Sequence, residues 1–288
     1  MRKAMSRSDR IFEWGVDAFL VLVLIVTFVP MWYVAMVSLL PFGQQASLFL
    51  APWNWSFEAY GQLIGQPAIW RAVLNSVVLT VGGVLVSLTL TVMAAYPLSR
   101  RELPGRGFFV GLILFTFLFN AGLIPTFLVI KDLGLLNSYW AVLLNGAISV
   151  YNLLVMKTFF QNLPESLEEA ARIDGANDWQ ILWHVILPLS KPILLTIGLF
   201  YGVAAWNNFF EPILFLSDRS LMPLPVVLRD ILTGINAAEY VEGTAAQAAP
   251  AEALKMASVV LITLPMLLVY PWIQRYFTKG VLIGSVKE

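Results

Sequence analysis

The chain has 288 residues, 59% of them apolar and 12% charged, with 18 Lys and Arg balancing 18 Asp and Glu. Soluble domains carry about 45–50% apolar and about 25% charged residues, so this balance, with a mean hydropathy of +0.76, excludes a water-soluble globule and describes a polytopic membrane protein. The absence of cysteine and a single histidine, His184, exclude disulfides, thiolate chemistry and a His-based metal centre, and zero net charge gives no argument for nucleic acid.

Arg2, Lys3, Arg7 and Arg10 precede a long apolar run with no small-residue cleavage site. It is longer than a secretory core and reads as a first membrane helix that is retained. A bilayer core about 30 Å thick needs ~20 apolar residues at the helical rise. Six segments qualify, at about 18–40, 72–98, 108–130, 139–160, 193–216 and 256–277. The runs are continuous rather than alternating, which predicts helices and not barrel strands. The expected fold is all-α, with six spans in one membrane domain covering 1–288. Lys157, Glu211 and Arg275 are the formal charges within those spans.

Six spans bring both termini to one side. On this topology thirteen of the 18 Lys and Arg share the side of the termini. Arg71, Lys131, Arg219, Arg229 and Lys255 face the other. Positive charge marks the cytoplasmic side, so both termini are expected there. Trp53, Trp55 and Trp70 then fall at the outer interface, where an aromatic belt is expected. Two long hydrophilic stretches remain, an inner one at 161–191 and an outer one at 217–255. Packing does not require them, so function is expected in them.

The inner stretch reads as a helix, a glycine turn and a second helix. Pro164 suits a first helical turn, and Glu165, Glu168 and Glu169 favour the positive end of the helix dipole. Gly175 can take the left-handed conformation that ends a helix, and Asn177 or Asp178 can cap the next one. Trp179, Leu182, Trp183 and Ile186 form a stripe at helical spacing, expected to lie on the inner membrane surface. Pro188 and Pro192 then break or kink the chain. Ala170 and Ala171 thin one part of the first helix, which permits close approach of a partner's backbone beside acidic groups. In the outer stretch Pro223 and Pro225 stiffen the start, and 226–232 suits a short surface helix. The Ala-rich 236–253, with Glu239, Glu242 and Gly243, is expected to project and to be ordered by a partner.

Polar residues inside spans have two readings. Asn75, Asn120, Asn145, Asn152, Asn207 and Asn208 could bond across helices or face a sugar, and Trp206 beside Asn207 and Asn208 adds an aromatic face. Glu211, next to Pro212, could be an ion site, a channel wall or an interfacial residue. No phosphate-binding Gly-x-x-x-x-Gly-Lys-[Ser/Thr] loop, His-Glu-x-x-His or Gly-x-Ser-x-Gly occurs, so no catalytic residue, no metal ligand and no enzyme activity is assigned to the chain.

Glu169-Ala170-Ala171, then Gly175, then Val185 and Leu187-Pro188, resembles the EAA loop of ABC importer permeases, with Val185 where the family usually has isoleucine. Asp174-Gly175-Ala176 is similar to the carbohydrate branch. The resemblance runs along nearly the whole chain: Phe57-Glu58-Ala59-Tyr60, Asn75-Ser76, Ala95-Tyr96-Pro97-Leu98-Ser99-Arg100, Pro104-Gly105-Arg106, Leu133-Gly134-Leu135-Leu136-Asn137-Ser138-Tyr139, Trp206-Asn207-Asn208 and the tail Lys279–Lys287. The chain is similar to the second permease of maltose-type importers, and most of all to permeases for oligosaccharides and polysaccharide fragments, alginate- or uronate-type among them.

The resemblance implies a type I importer half-channel in the bacterial inner membrane, paired with a second permease chain. It implies two ATPase subunits, which hold the ATP and Mg, and an extracytoplasmic binding protein that delivers an oligosaccharide. Glu169, Ala170, Ala171, Asp174, Gly175, Ala176, Leu187 and Pro188 would couple to the ATPase, and Gly280, Gly284 and Lys287 would reach between the ATPase subunits. Trp206, Asn207, Asn208 and Asn75 are candidates for the substrate path, and Glu239, Glu242 and Gly243 for contact with the binding protein. An ion-coupled carrier using Glu211 is the alternative.

Overall fold

In lipid the backbone must satisfy its own hydrogen bonds, so long apolar runs fold as helices. The computed structural model describes residues 7–41, 43–49, 52–234 and 250–284, which are helical apart from their connections. In chain order the helices are α1 (Arg7–Val37), α2 (Glu58–Ile64), α3 (Pro67–Ser99), α4 (Arg106–Leu118), α5 (Leu123–Asp132), α6 (Tyr139–Leu144), α7 (Val150–Gln161), α8 (Glu165–Ile173), α9 (Asp178–Ile181), α10 (Leu187–Leu189), α11 (Lys191–Asn207), α12 (Phe210–Phe215), α13 (Leu224–Thr233) and α14 (Ala251–Gly284). A π-helical stretch at Leu182–Ile186 joins α9 to α10.

The sequence gives six spans; the described helices give fewer unbroken ones. Three are long and apolar enough to cross a bilayer by length and composition, or five if each of two bent pairs counts as one. The third apolar segment is α4 and α5, bent by 115° around Asn120, whose side chain accepts the Gly122 N–H at 2.8 Å. The fourth is α6 and α7, parted at Asn145 and at Gly146, which has φ +68°. The fifth is α11 and α12, parted at Asn208. Mean hydropathy averages over a window and does not register a break of one or two residues.

The chain divides into two compact units, residues 1–67 with 228–263, and residues 68–227 with 264–288. In the first, α1 exposes its apolar side chains along most of its length, as suits a helix facing lipid. Its C-terminal end is buried at Met36 and Val37, as are Leu40 and, on α2, Ala59 and Leu63. The Ser38 and Tyr60 hydroxyls bond at 2.7 Å, and the Ser56 N–H donates to the Leu39 carbonyl at 2.9 Å.

The second unit is centred on Val92, Ala95 and Tyr96 of α3, Met156 and Phe160 of α7, Ile181, Leu182 and Ile186 of the 161–191 loop, and Ile197 and Tyr201 of α11. A smaller cluster joins Ile130, Ala141 and Phe215. Asn137 takes φ 57°, a left-handed conformation that asparagine tolerates. Its side chain accepts the Ser217 and Asp218 N–H groups at 3.0 and 2.8 Å.

Asn75, 6% exposed, donates to the carbonyls of Ser220 and Met222 at 2.8 and 3.0 Å and accepts from the Tyr139 hydroxyl at 2.8 Å. Beside it, Ser76 accepts the Leu224 N–H at 2.8 Å. These two residues hold the segment that follows α12. Asn75→Ala removes the donor to two half-buried carbonyls and is expected to cost about 1–3 kcal/mol. Asn207, exposed, donates only to Val203 of its own helix at 2.8 Å, so Asn207→Ala should stay within about 0.5 kcal/mol. Thermal unfolding of the two purified variants checks the contrast, which equal melting points would refute.

Candidate functional site

The 161–191 loop is built from local capping. Pro164 stands one residue outside α8, as its N-cap, and Glu165 begins the helix. At the other end Gly175 has φ +84°. Its N–H donates to the Arg172 carbonyl at 3.0 Å, and the Ala176 N–H donates to the Ala171 carbonyl at 2.9 Å. This is the Schellman pairing, which uses up carbonyls the helix end would leave unbonded. Asn177 then caps α9: its side chain accepts the Gln180 N–H, and the Gln180 side chain accepts the Asn177 N–H, both at 2.9 Å. The Arg172 guanidinium bonds the Asp178 carboxylate across the turn at 2.6 Å.

The stripe expected on the second helix divides. Ile181, Leu182 and Ile186 are buried, whereas Trp179 and Trp183 are exposed. The π-helical turn at Leu182–Ile186 changes the spacing that an α-helix would impose, so one four-residue stripe cannot be kept. The His184 ring nitrogen lies 3.0 Å from the Gln180 carbonyl, one turn back. Beyond Pro188 the chain bends by 83° into α11.

Among the loop residues singled out in the sequence, Glu169, Ala170, Asp174, Gly175 and Pro188 are exposed. Ala171, Ala176 and Leu187 are half-buried and pack on the core of the second unit. Glu168, read in the sequence only for its place at the positive end of the helix, is 7% exposed and forms an ion pair with Arg100, the residue after α3. The Arg100 guanidinium also lies 4.4 Å from the centre of the Tyr96 ring, and that ring meets Phe160 of α7 edge-on. The outward face of α8 is thus presented by a helix whose inward face is tied to the ends of α3 and α7. A cavity of about 480 Å³ opens beside this junction, lined by Tyr96, Arg100, Arg172, Asp178 and Trp179 among others. The signal in the sequence was the basic residue just after α3, three residues ahead of which stands Pro97.

Glu211 lies in the first turn of α12, and both its carboxylate oxygens accept amide hydrogen bonds. One comes from Asn145, at the break in the fourth segment. The other comes from Asn208, at the break in the fifth, at 2.6 Å. Ser87, Tyr201, Asn145, Asn208 and Glu211 line a cavity of about 200 Å³. Tyr201 is itself held by the Thr91 hydroxyl at 2.7 Å and the Ser149 N–H at 3.0 Å. Of the four residues suggested for a substrate path, Asn208 reaches this cavity. Trp206 is buried, Asn207 bonds its own helix and Asn75 holds the segment after α12. Gly280 and Gly284 fall within α14. Glu239, Glu242, Gly243 and Lys287 lie outside the described residues.

Residues 4–283 match the family of binding-protein-dependent transport system inner membrane components. The chain is 43% identical to the polygalacturonan/rhamnogalacturonan transport system permease protein YtcP of Bacillus subtilis (strain 168), over 97% of this chain and 99% of that protein. It is 30% identical to the diacetylchitobiose uptake system permease protein NgcG of Streptomyces coelicolor, over 100% of this chain and 93% of that one. It is also similar, at 34% identity and a TM-score of 0.87, to a chain in the crystal structure of a bacterial ABC transporter involved in the import of the acidic polysaccharide alginate. That match covers 95% of this chain and 99% of the other.

The adjacent glutamates of α8 are expected to differ in kind. Glu168→Ala leaves the Arg100 charge without its partner and should lower stability by about 1–3 kcal/mol. Glu169→Ala removes an exposed side chain and should change it by less than about 0.5 kcal/mol. Melting temperatures of the two detergent-purified variants test this, and a Glu169→Ala loss equal to that of Glu168→Ala would contradict it.

Proposed function

This chain belongs to the family of binding-protein-dependent transport system inner membrane components, and we propose that it is one permease subunit of an ATP-driven importer passing an oligosaccharide across the bacterial cytoplasmic membrane by alternating access. Its partners in this reading are a second permease chain, two ATPase subunits carrying ATP and Mg, and an extracytoplasmic binding protein. The saccharides in the names of its relatives support the substrate class. The charge bias supports cytoplasmic termini. Glu239, Glu242 and Gly243 would meet the binding protein, and the tail with Gly280, Gly284 and Lys287 would meet the ATPases.

One observation carries the reading. The α8 helix presents Glu169 and Ala170 outward, ends in a bonded left-handed turn at Gly175, and is fastened from behind through Glu168 to Arg100. A helix held in this way can transmit a push from a bound partner. In this chain, which has no phosphate-binding loop of its own, that push comes from the ATPase. Glu169, Ala170, Ala171, Asp174, Gly175 and Ala176 form the docking surface. Leu187 and Pro188 join it to the bend before α11.

A Cβ at Gly175 would meet no atom of the described residues within 4 Å. Its cost within the subunit is therefore the backbone strain alone, roughly 1–2 kcal/mol, and any steric effect belongs to the partner. Gly175→Asn tolerates the left-handed turn while adding bulk; Gly175→Val adds both bulk and strain. In proteoliposomes reconstituted with the co-expressed subunits, both should lose most substrate-stimulated ATP hydrolysis and uptake while still inserting in the membrane. Full stimulation of Gly175→Asn would sink the docking role.

A further inference from the structure

One face of α3 changes character over its last turns. Leu85, Thr89 and Met93 are exposed at four-residue spacing on this candidate span. Met93, Tyr96, Pro97 and Arg100 continue the same face and line the cavity of about 480 Å³ that Trp179 borders from the 161–191 loop. Over roughly 10 Å at the helical rise the face passes from apolar side chains to a phenol and then to a guanidinium just past the helix end. A cation at that place stands at the level of the lipid head groups.

The Arg100 guanidinium is only half used. Its Nη1 pairs with Glu168. Nε and Nη2 point their hydrogens the same way and form the other fork of the group. Both are buried and make no hydrogen bond among the described residues, and neither does the buried hydroxyl of Tyr96. The guanidinium lies over the face of the Tyr96 ring, 4.4 Å from its centre, and so is out of line with a hydroxyl in the ring plane. Buried donors without a partner are uncommon and call for one. Of the carboxylates nearby, Glu168 holds Nη1, Asp178 is bonded to Arg172 at 2.6 Å and Glu102 is exposed.

We infer that this crevice binds one membrane phospholipid, its phosphodiester on the Nε and Nη2 fork of Arg100 and an acyl chain along the stripe from Met93 to Leu85. A guanidinium fork matches two phosphate oxygens at once, and phosphate on this edge leaves Glu168 on the other. The Tyr96 hydroxyl can donate to a phosphate or glycerol ester oxygen. Arg100 keeps 25% of its side chain exposed, so a turn of the guanidinium brings the fork to the cavity. Soluble phosphate esters share the head-group chemistry, but the apolar stripe leading into the cavity favours the form that carries acyl chains. Bound there, the lipid joins the junction between α3 and α8, whatever the importer carries.

Native mass spectrometry of the detergent-purified complex with its co-expressed subunits tests this. Three probes are titrated separately: dioleoylphosphatidylglycerol; dioleoylglycerol, which keeps the chains and lacks the phosphate; and glycerophosphoglycerol, which keeps the phosphate and lacks the chains. The wild-type complex is expected to hold one phosphatidylglycerol per copy of this chain at least about tenfold more tightly than either of the others. Arg100→Lys keeps a charge for Glu168 but not the fork, and should weaken that binding several-fold. Arg101→Lys, at the exposed neighbouring residue, should leave it unchanged. The phospholipid should also raise the melting temperature of the wild-type complex and not that of Arg100→Lys. Equal binding of phosphatidylglycerol and dioleoylglycerol, or binding unmoved by Arg100→Lys, would overturn the inference. Glycerophosphoglycerol bound as tightly as the lipid would assign the fork to a soluble phosphate ester and overturn the membrane source. Where Arg100→Lys does not assemble, the wild-type comparison of the three probes decides alone.

Discussion

Glu211 gives each of its carboxylate oxygens to an amide, one from Asn145 and one from Asn208. Each of those asparagines stands where an apolar segment stops being helical. A helix broken inside a bilayer exposes backbone groups that lipid cannot satisfy, so broken helices persist only where protein or a water-filled space supplies partners. The carboxylate therefore does two things together. It fastens α6 to α12 across the fold, and it makes the region around both breaks polar enough to keep a cavity. Tyr201 repeats the pattern one level away, taking the Ser149 N–H at the start of α7 and bonding Thr91 of α3.

The long α3 helix, 33 residues and about 50 Å at the helical rise, links these features. Near its start Asn75 and Ser76 hold the segment after α12. At its middle Ser87 and Thr91 meet the polar cavity and Tyr201. Just past its end Arg100 pairs with Glu168 of α8. One long helix thus touches the segment after α12, the cavity and the 161–191 loop. The cavity and the junction with α8 lie along the same helix.

The two neighbouring glutamates on α8 divide the work by direction. A helix turns by about 100° per residue, so Glu168 and Glu169 cannot face the same way. The first is buried against Arg100, and the second is exposed. Gly175 and Asn177 end one helix and start the next with almost no loop between them, so the exposed face of α8 and the bend at Pro188 are joined through bonded turns rather than slack chain.

Apolar run length by itself required helices in a membrane, and the Gly175 turn and the Asn177 cap were legible because each depends on residues no more than a few positions apart. The EAA pattern could be read for the same reason, as a local spacing on one helix and one turn. What local spacing could not decide were the breaks within three apolar segments, the outward turn of Trp179 and Trp183 at the π-helical stretch, and the choice of Glu168 over Glu169 for Arg100. Nor could it assign Asn75 to the carbonyls of Ser220 and Met222, or Glu211 to Asn145. Those outcomes depend on partners 66 to 147 residues apart in the chain. A polar side chain in an apolar segment announces only that it needs a hydrogen bond; the tertiary structure alone decides which distant group supplies it.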